Sequence, residues 1–175
     1  MRFTVHGPFK LQKQANGLVD RQNDAKRAFW QNVISKDNFL PSACGCYLYA
    51  IRAAKGVKPW YVGMANKQSF ETECFASHKV NIYNEVVANR KGTPVLFLLA
   101  RRTSKGRFAK PSVNGRSDIR FLETLLIATA IEKNPKLMNV QKTKMLRNME
   151  VPGLINSPQA RPTRSVALLK DALFR

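Results

Sequence analysis

At 175 residues the chain fits one domain with some elaboration, and a hydrophobic content of 44% is enough for a real core. Lys and Arg outnumber Asp and Glu by 30 to 11, leaving a net charge of +19 spread along the whole chain; such a field draws polyanions, nucleic acid first among them. No stretch is both basic and strongly amphipathic, which argues against a membrane surface as partner, and the longest apolar run, residues 95–100, is too short to cross a bilayer. The first residues carry no apolar signal-peptide core. With an odd number of cysteines (Cys44, Cys46 and Cys74), reduced thiols in a cytoplasmic protein are the expectation.

Residues 1–40 read as an N-terminal elaboration. Phe3, Val5 and Phe9 suit a short extended segment around a Gly7-Pro8 turn. Residues 24–35 suit a helix capped by Asp24, with Ala25, Phe29, Trp30 and Val33 on the face that covers an open side of a sheet.

Residues 45–63 carry the most information. Gly45-Cys46-Tyr47-Leu48-Tyr49-Ala50-Ile51-Arg52 and Pro59-Trp60-Tyr61-Val62-Gly63 are two aromatic and β-branched runs, with Lys55, Gly56 and Pro59 breaking the sequence between them. They predict an antiparallel hairpin with Cys46, Leu48 and Ala50 on one face and Tyr47 and Tyr49 on the other. Gly-Cys-Tyr followed by Tyr-Val-Gly resembles the paired motif of the GIY-YIG nucleases, with Cys46 in place of the usual Ile and Val62 a mild variant. The resemblance runs from about Gly45 to Asn139.

A helix is predicted over residues 69–89, capped by Ser69, with Glu71 and Glu73 in its first turn. In the GIY-YIG family this helix presents an arginine to the active site, often followed by a histidine. His78 stands in the right region, but the places before it hold Cys74 and Glu73. Lys67 or Lys79 is left to supply the positive charge, with Lys67 preferred because it lies in the turn after Tyr61-Val62-Gly63. Cys44, Cys46, Cys74 and His78 also admit a zinc reading; a small buried thiol accounts equally for Cys46.

Residues 95–100, an unbroken apolar run between breakers, predict a central strand covered on both faces. The basic stretch after it, with Arg101, Arg102, Lys105, Arg107, Lys110 and Arg116, reads either as a solvated loop or as one that follows the phosphates of DNA. Residues 117–131 predict a buried helix. Glu123 lies on its apolar stripe and needs a cation, a hydrogen-bond network or a metal. In this family a glutamate at this place binds the metal; a salt bridge with Arg120 is the structural alternative. Asn139 matches a family asparagine that supports the site. Lys142, Lys144 and Arg147 add basic surface, a connector follows to Pro162, and a terminal helix is expected from Thr163 to Phe174 with Val166, Leu169 and Leu173 facing inward.

The resemblance implies an α/β fold: a small three-stranded antiparallel sheet flanked by helices (residues 41–140), with elaborations at 1–40 and 141–175. It implies a DNA endonuclease of restriction, repair or mobile-element biology, using one Mg²⁺ or Mn²⁺. Tyr47 would activate water and Tyr61 orient water or phosphate. Glu123 would hold the metal, Asn139 support it, and His78 assist proton transfer. The alternative is a catalytically weak or inactive relative that binds nucleic acid without cutting it.

Overall fold

A computed structural model describes residues 1–54, 56–140, 143–154 and 163–174. The predicted Lys55 break, Lys142 and most of the connector before Thr163 lie outside the described residues. Two compact units emerge, Met1–Met138 and Asn139–Arg175.

The first unit is built on four antiparallel strands: β1 (Arg2–Lys10), β2 (Gly45–Ala53), β3 (Gly56–Ala65) and β4 (Thr93–Arg102), in the order β1-β4-β2-β3. The expected three-stranded sheet is therefore corrected to four. The N-terminal segment pairs with β4 from Arg2↔Arg102 to Lys10↔Val95, with an irregularity between His6 and Phe9. The apolar run is a central strand as predicted, hydrogen-bonded on both sides, because β1 covers the edge that β2 does not.

Alternation along the strands sorts the side chains into two layers. Tyr47, Tyr49, Leu96 and Leu98 face a core shared with α1 (Asn23–Ile34) and α3 (Ser77–Asn89), where Tyr83 stacks on Tyr49 at 4.3 Å. Cys46 faces the other way, with Met64 and Leu99, against Ile119, Leu122 and Leu126 of α4 (Ser117–Lys133). A bulge in the hairpin inserts Trp60 between the pairs Tyr49↔Tyr61 and Ala50↔Pro59. The extra residue breaks the alternation, so Trp60 and Tyr61 both turn toward the α1/α3 layer.

The helix expected over 69–89 is broken in two. Ser69 caps α2 (Phe70–Glu73), its hydroxyl accepting from Thr72 N at 3.4 Å, and α3 begins at Ser77. Cys74 and Phe75 are consecutive and both buried, Phe75 against Phe29 and Trp30. Cys74 closes α2, and Ala76, at φ −56° and ψ 141°, interrupts the helical backbone before α3. Cys74 and His78 consequently share no helix face.

α4 is less enclosed than its sequence implies: Phe121 is 67% exposed and Leu125 also faces solvent. After it, Asn134 is buried, its amide donating to Pro59 O at 2.7 Å, and Met138 N donates to Trp60 O at 2.8 Å. These bonds satisfy outward carbonyls of the β3 edge at the bulge.

The second unit contains α5 (Thr143–Asn148) and α6 (Arg164–Phe174). Thr163 Oγ1 accepts from Val166 N at 3.4 Å, which starts α6 where the sequence placed it. Leu169 and Leu173 are exposed and Val166 is half-buried, which corrects the inward-facing expectation for the two leucines. Among the described residues, no helix is long and apolar enough to cross a membrane.

Candidate functional site

The two motif glycines are explained by contact. A Cβ at Gly63 would collide with Cζ and the hydroxyl of Tyr47, and one at Gly45 would strike the Leu99 carbonyl oxygen. Gly63 is the register partner of Tyr47, so the Tyr47 ring lies across the space a side chain would fill. Tyr61, two register pairs along, sits with its ring centroid 6.2 Å from that of Tyr47.

Lys79 completes this group. Its Nζ donates to the Tyr61 hydroxyl at 2.6 Å, lies 3.5 Å from the Glu73 carboxylate and 5.0 Å from the Tyr61 ring centroid. The helix break makes this possible. Six residues apart on an uninterrupted helix, Glu73 and Lys79 would point about 120° from each other. Burial lowers the ammonium's pKa, but the Tyr61 hydrogen bond and the Glu73 charge outweigh it, so Lys79 is held charged above the usual lysine range.

Deeper in, the Tyr47 hydroxyl is fully buried and has no hydrogen-bond partner. It lies near the Tyr83 hydroxyl, also unpartnered, without the geometry of a hydrogen bond between them. Burial, reinforced by Tyr83, Cys74 and Tyr61, pushes the Tyr47 pKa well up. Tyr83 and Cys74 are raised well above their usual ranges for the same first reason, burial. This is an environment for a phenol that keeps its proton, not for one that gives it up.

Tyr47, Tyr61 and Lys79 are thus brought together, with Glu73 and Tyr83 as neighbours that sequence reasoning left without a role. Lys67, the preferred cation of the sequence, is exposed in the turn after β3, whereas Lys79 is the lysine bonded to Tyr61. His78 is exposed in the first turn of α3. Glu123 is half-buried on α4, which packs on the Cys46 face of the sheet, whereas Tyr47 and Tyr61 belong to the opposite layer. Asn139 opens the second unit, where its carbonyl accepts from Thr143 Oγ1 at 3.0 Å.

The donor set does not fit a divalent cation at the tyrosine group. Its nearest carboxylate, Glu73, is paired with Lys79, and an ammonium 2.6 Å from the Tyr61 oxygen would repel the metal. Among the described residues no three His, Cys, Asp or Glu gather to hold an ion. The zinc reading fares no better: the Cys44 thiol donates to Lys110 O at 3.3 Å and the Cys46 thiol to Ile119 O at 3.4 Å, while Cys74 is in the other core layer.

The basic stretch divides into two sets. Arg101 Nε is bonded to Asp118 Oδ2 at 2.6 Å in a largely buried ion pair. Arg102 donates to Thr4 Oγ1 at 3.0 Å, with its guanidinium 3.6 Å from the Phe108 ring centroid. Arg116 donates to Lys110 O, and its backbone is clamped from both sides by the Asn66 amide. Those three shape the loop. Lys105, Arg107 and Lys110 are exposed. Compared with protein-family models, curated proteins and solved structures, the chain gives no match.

Proposed function

We propose that this chain binds nucleic acid, DNA above all, through its basic surface and does not cut it. The observation that carries the reading is the state of Tyr47. Tyr47 is sealed from solvent with its pKa driven up, so this phenol is not placed to activate water. On this reading the GIY-YIG-like hairpin is retained as scaffold, with Lys79 locking Tyr61. The exposed Lys105, Arg107 and Lys110, within a net charge of +19, provide the contacts to phosphate.

A second reading, the Mg²⁺- or Mn²⁺-dependent endonuclease, is favoured by one observation: Lys79 comes from the helix that carries the family arginine and reaches Tyr61. One experiment separates the two. Plasmid and linear duplex are incubated with the protein, with and without Mg²⁺ or Mn²⁺, and retention is measured across a salt series. Salt-sensitive retention without nicking supports the binder. Metal-dependent nicking that Tyr61→Phe abolishes supports the nuclease, and no retention at any salt overturns both.

A further inference from the structure

We infer that the cleft between the turn before β2 and the basic loop after β4 is a stacking site for unpaired bases of single-stranded DNA. The inference rests on the nucleic-acid-binding reading and names the form of the ligand.

Phe39 carries the argument. It is 66% exposed, yet it is held in place: its N–H donates to Asp37 Oδ1 at 3.0 Å and its carbonyl accepts from Ser42 Oγ at 3.0 Å. The next residue, Leu40, is fully buried and anchors the turn to the core. A large apolar ring presented to water from an anchored backbone suits a partner with an apolar face.

The surroundings identify that partner. Phe39 lines a cleft of about 480 Å³ with Arg102, Arg107, Phe108 and Lys110. This volume is in the range that holds small ligands. The opposite wall is also firm: Thr103 N donates to Arg107 O at 2.8 Å, and Phe108 is held between the Arg102 guanidinium and the His6 ring. Three cations line the cleft against one acid, Asp37, whose Oδ1 already accepts from Phe39 N. Aromatic platforms beside cations that follow a backbone are the means by which single strands are bound with little sequence preference. A duplex keeps its base faces stacked internally, so it can reach the cations but not the Phe39 ring.

The test measures the affinity of a labelled oligothymidylate and of a duplex of equal length, at one low salt concentration. Wild type, Phe39→Ala, Phe39→Trp and Arg107→Gln are compared. Expected is a roughly five- to hundredfold loss of single-strand affinity in Phe39→Ala, duplex affinity within twofold of wild type, and recovery in Phe39→Trp. Arg107→Gln weakens both ligands. If Phe39→Ala leaves single-strand binding unchanged, or weakens both ligands equally, the stacking site is overturned while nucleic-acid binding stands. If wild type binds neither ligand, both readings fall. Because Phe39 is exposed, the thermal midpoint of Phe39→Ala is expected to match wild type, and a folding defect would overturn the assignment of Phe39 to ligand.

Discussion

Lys79 Nζ donates a 2.6 Å hydrogen bond to the hydroxyl of Tyr61, eighteen residues earlier in the chain and on a different element. The Lys79 side chain is 12% exposed and its ammonium is shared with Glu73, so one cation ties β3, α2 and α3 together. Hydrogen bonds to charged groups contribute about 1.5–3 kcal/mol each when buried. Lys79→Met is expected to lower unfolding free energy by about 2 kcal/mol, whereas Lys67→Met, at an exposed turn, changes it by less than about 0.5 kcal/mol. Urea denaturation of both variants checks the ranking.

Gly63 and Tyr47 form a second coupled pair, since any Cβ at 63 meets the Tyr47 ring. Overpacking of this kind costs about 1–3 kcal/mol. Gly63→Ala should therefore destabilise strongly, and Tyr47→Leu in the same chain should recover part of the loss. A double-mutant cycle by chemical denaturation measures this coupling; simple additivity would contradict the contact.

The buried Tyr47 hydroxyl has no partner, so its removal deprives the fold of no hydrogen bond. Tyr47→Phe is expected to be neutral or stabilising by up to about 1 kcal/mol, with DNA retention unchanged. A nuclease that uses Tyr47 would instead lose cleavage in this variant. Thermal melting and plasmid nicking read the two effects separately.

Alkaline pH provides a further check with a definite sign. The pKa of Tyr47, Tyr49 and Tyr83 is raised in the fold by burial, so above about pH 10 the unfolded chain releases protons that the folded chain retains. Stability is then lost as pH rises. Lys79 acts in the same direction: its pKa is raised by its Tyr61 and Glu73 contacts against the opposing effect of burial, so its contribution is present below the ordinary lysine pKa and lost as pH climbs through the folded value. Tyrosinate absorbance during an alkaline titration should rise in one cooperative step together with the loss of circular dichroism. A gradual rise in a still-folded protein would contradict the burial of Tyr47, Tyr49 and Tyr83.

The two sets of basic residues predict different phenotypes. Gln at Lys105, Arg107 or Lys110 should weaken duplex binding and reduce the log–log salt slope by about 0.9 for each phosphate that is no longer neutralised. Arg101→Gln should instead lower stability, because it leaves Asp118 unpaired in a largely buried setting. Salt-series binding and thermal melts on the same variants separate these roles.

Local pattern was enough to place the hairpin, the central strand at 95–100, the Ser69 cap, the helix from Ser117 and the terminal helix, because each depends on periodicity, capping and breakers within a few residues. The hairpin bulge at Trp60 was not legible, since alternation alone assigns Trp60 and Tyr61 to opposite faces. The extended segment around Phe3, Val5 and Phe9 was legible, but not its pairing with β4 as a fourth strand of the sheet. The same holds for the candidate site. Sequence order brought Tyr47 and Tyr61 together, but it is Lys79, beyond the helix break at Ala76, that bonds Tyr61. Which cations remain free, and that Phe39 stands exposed beside them, was decided by packing between segments tens of residues apart. Composition determined the charge of this protein; packing decided which of those charges reach solvent.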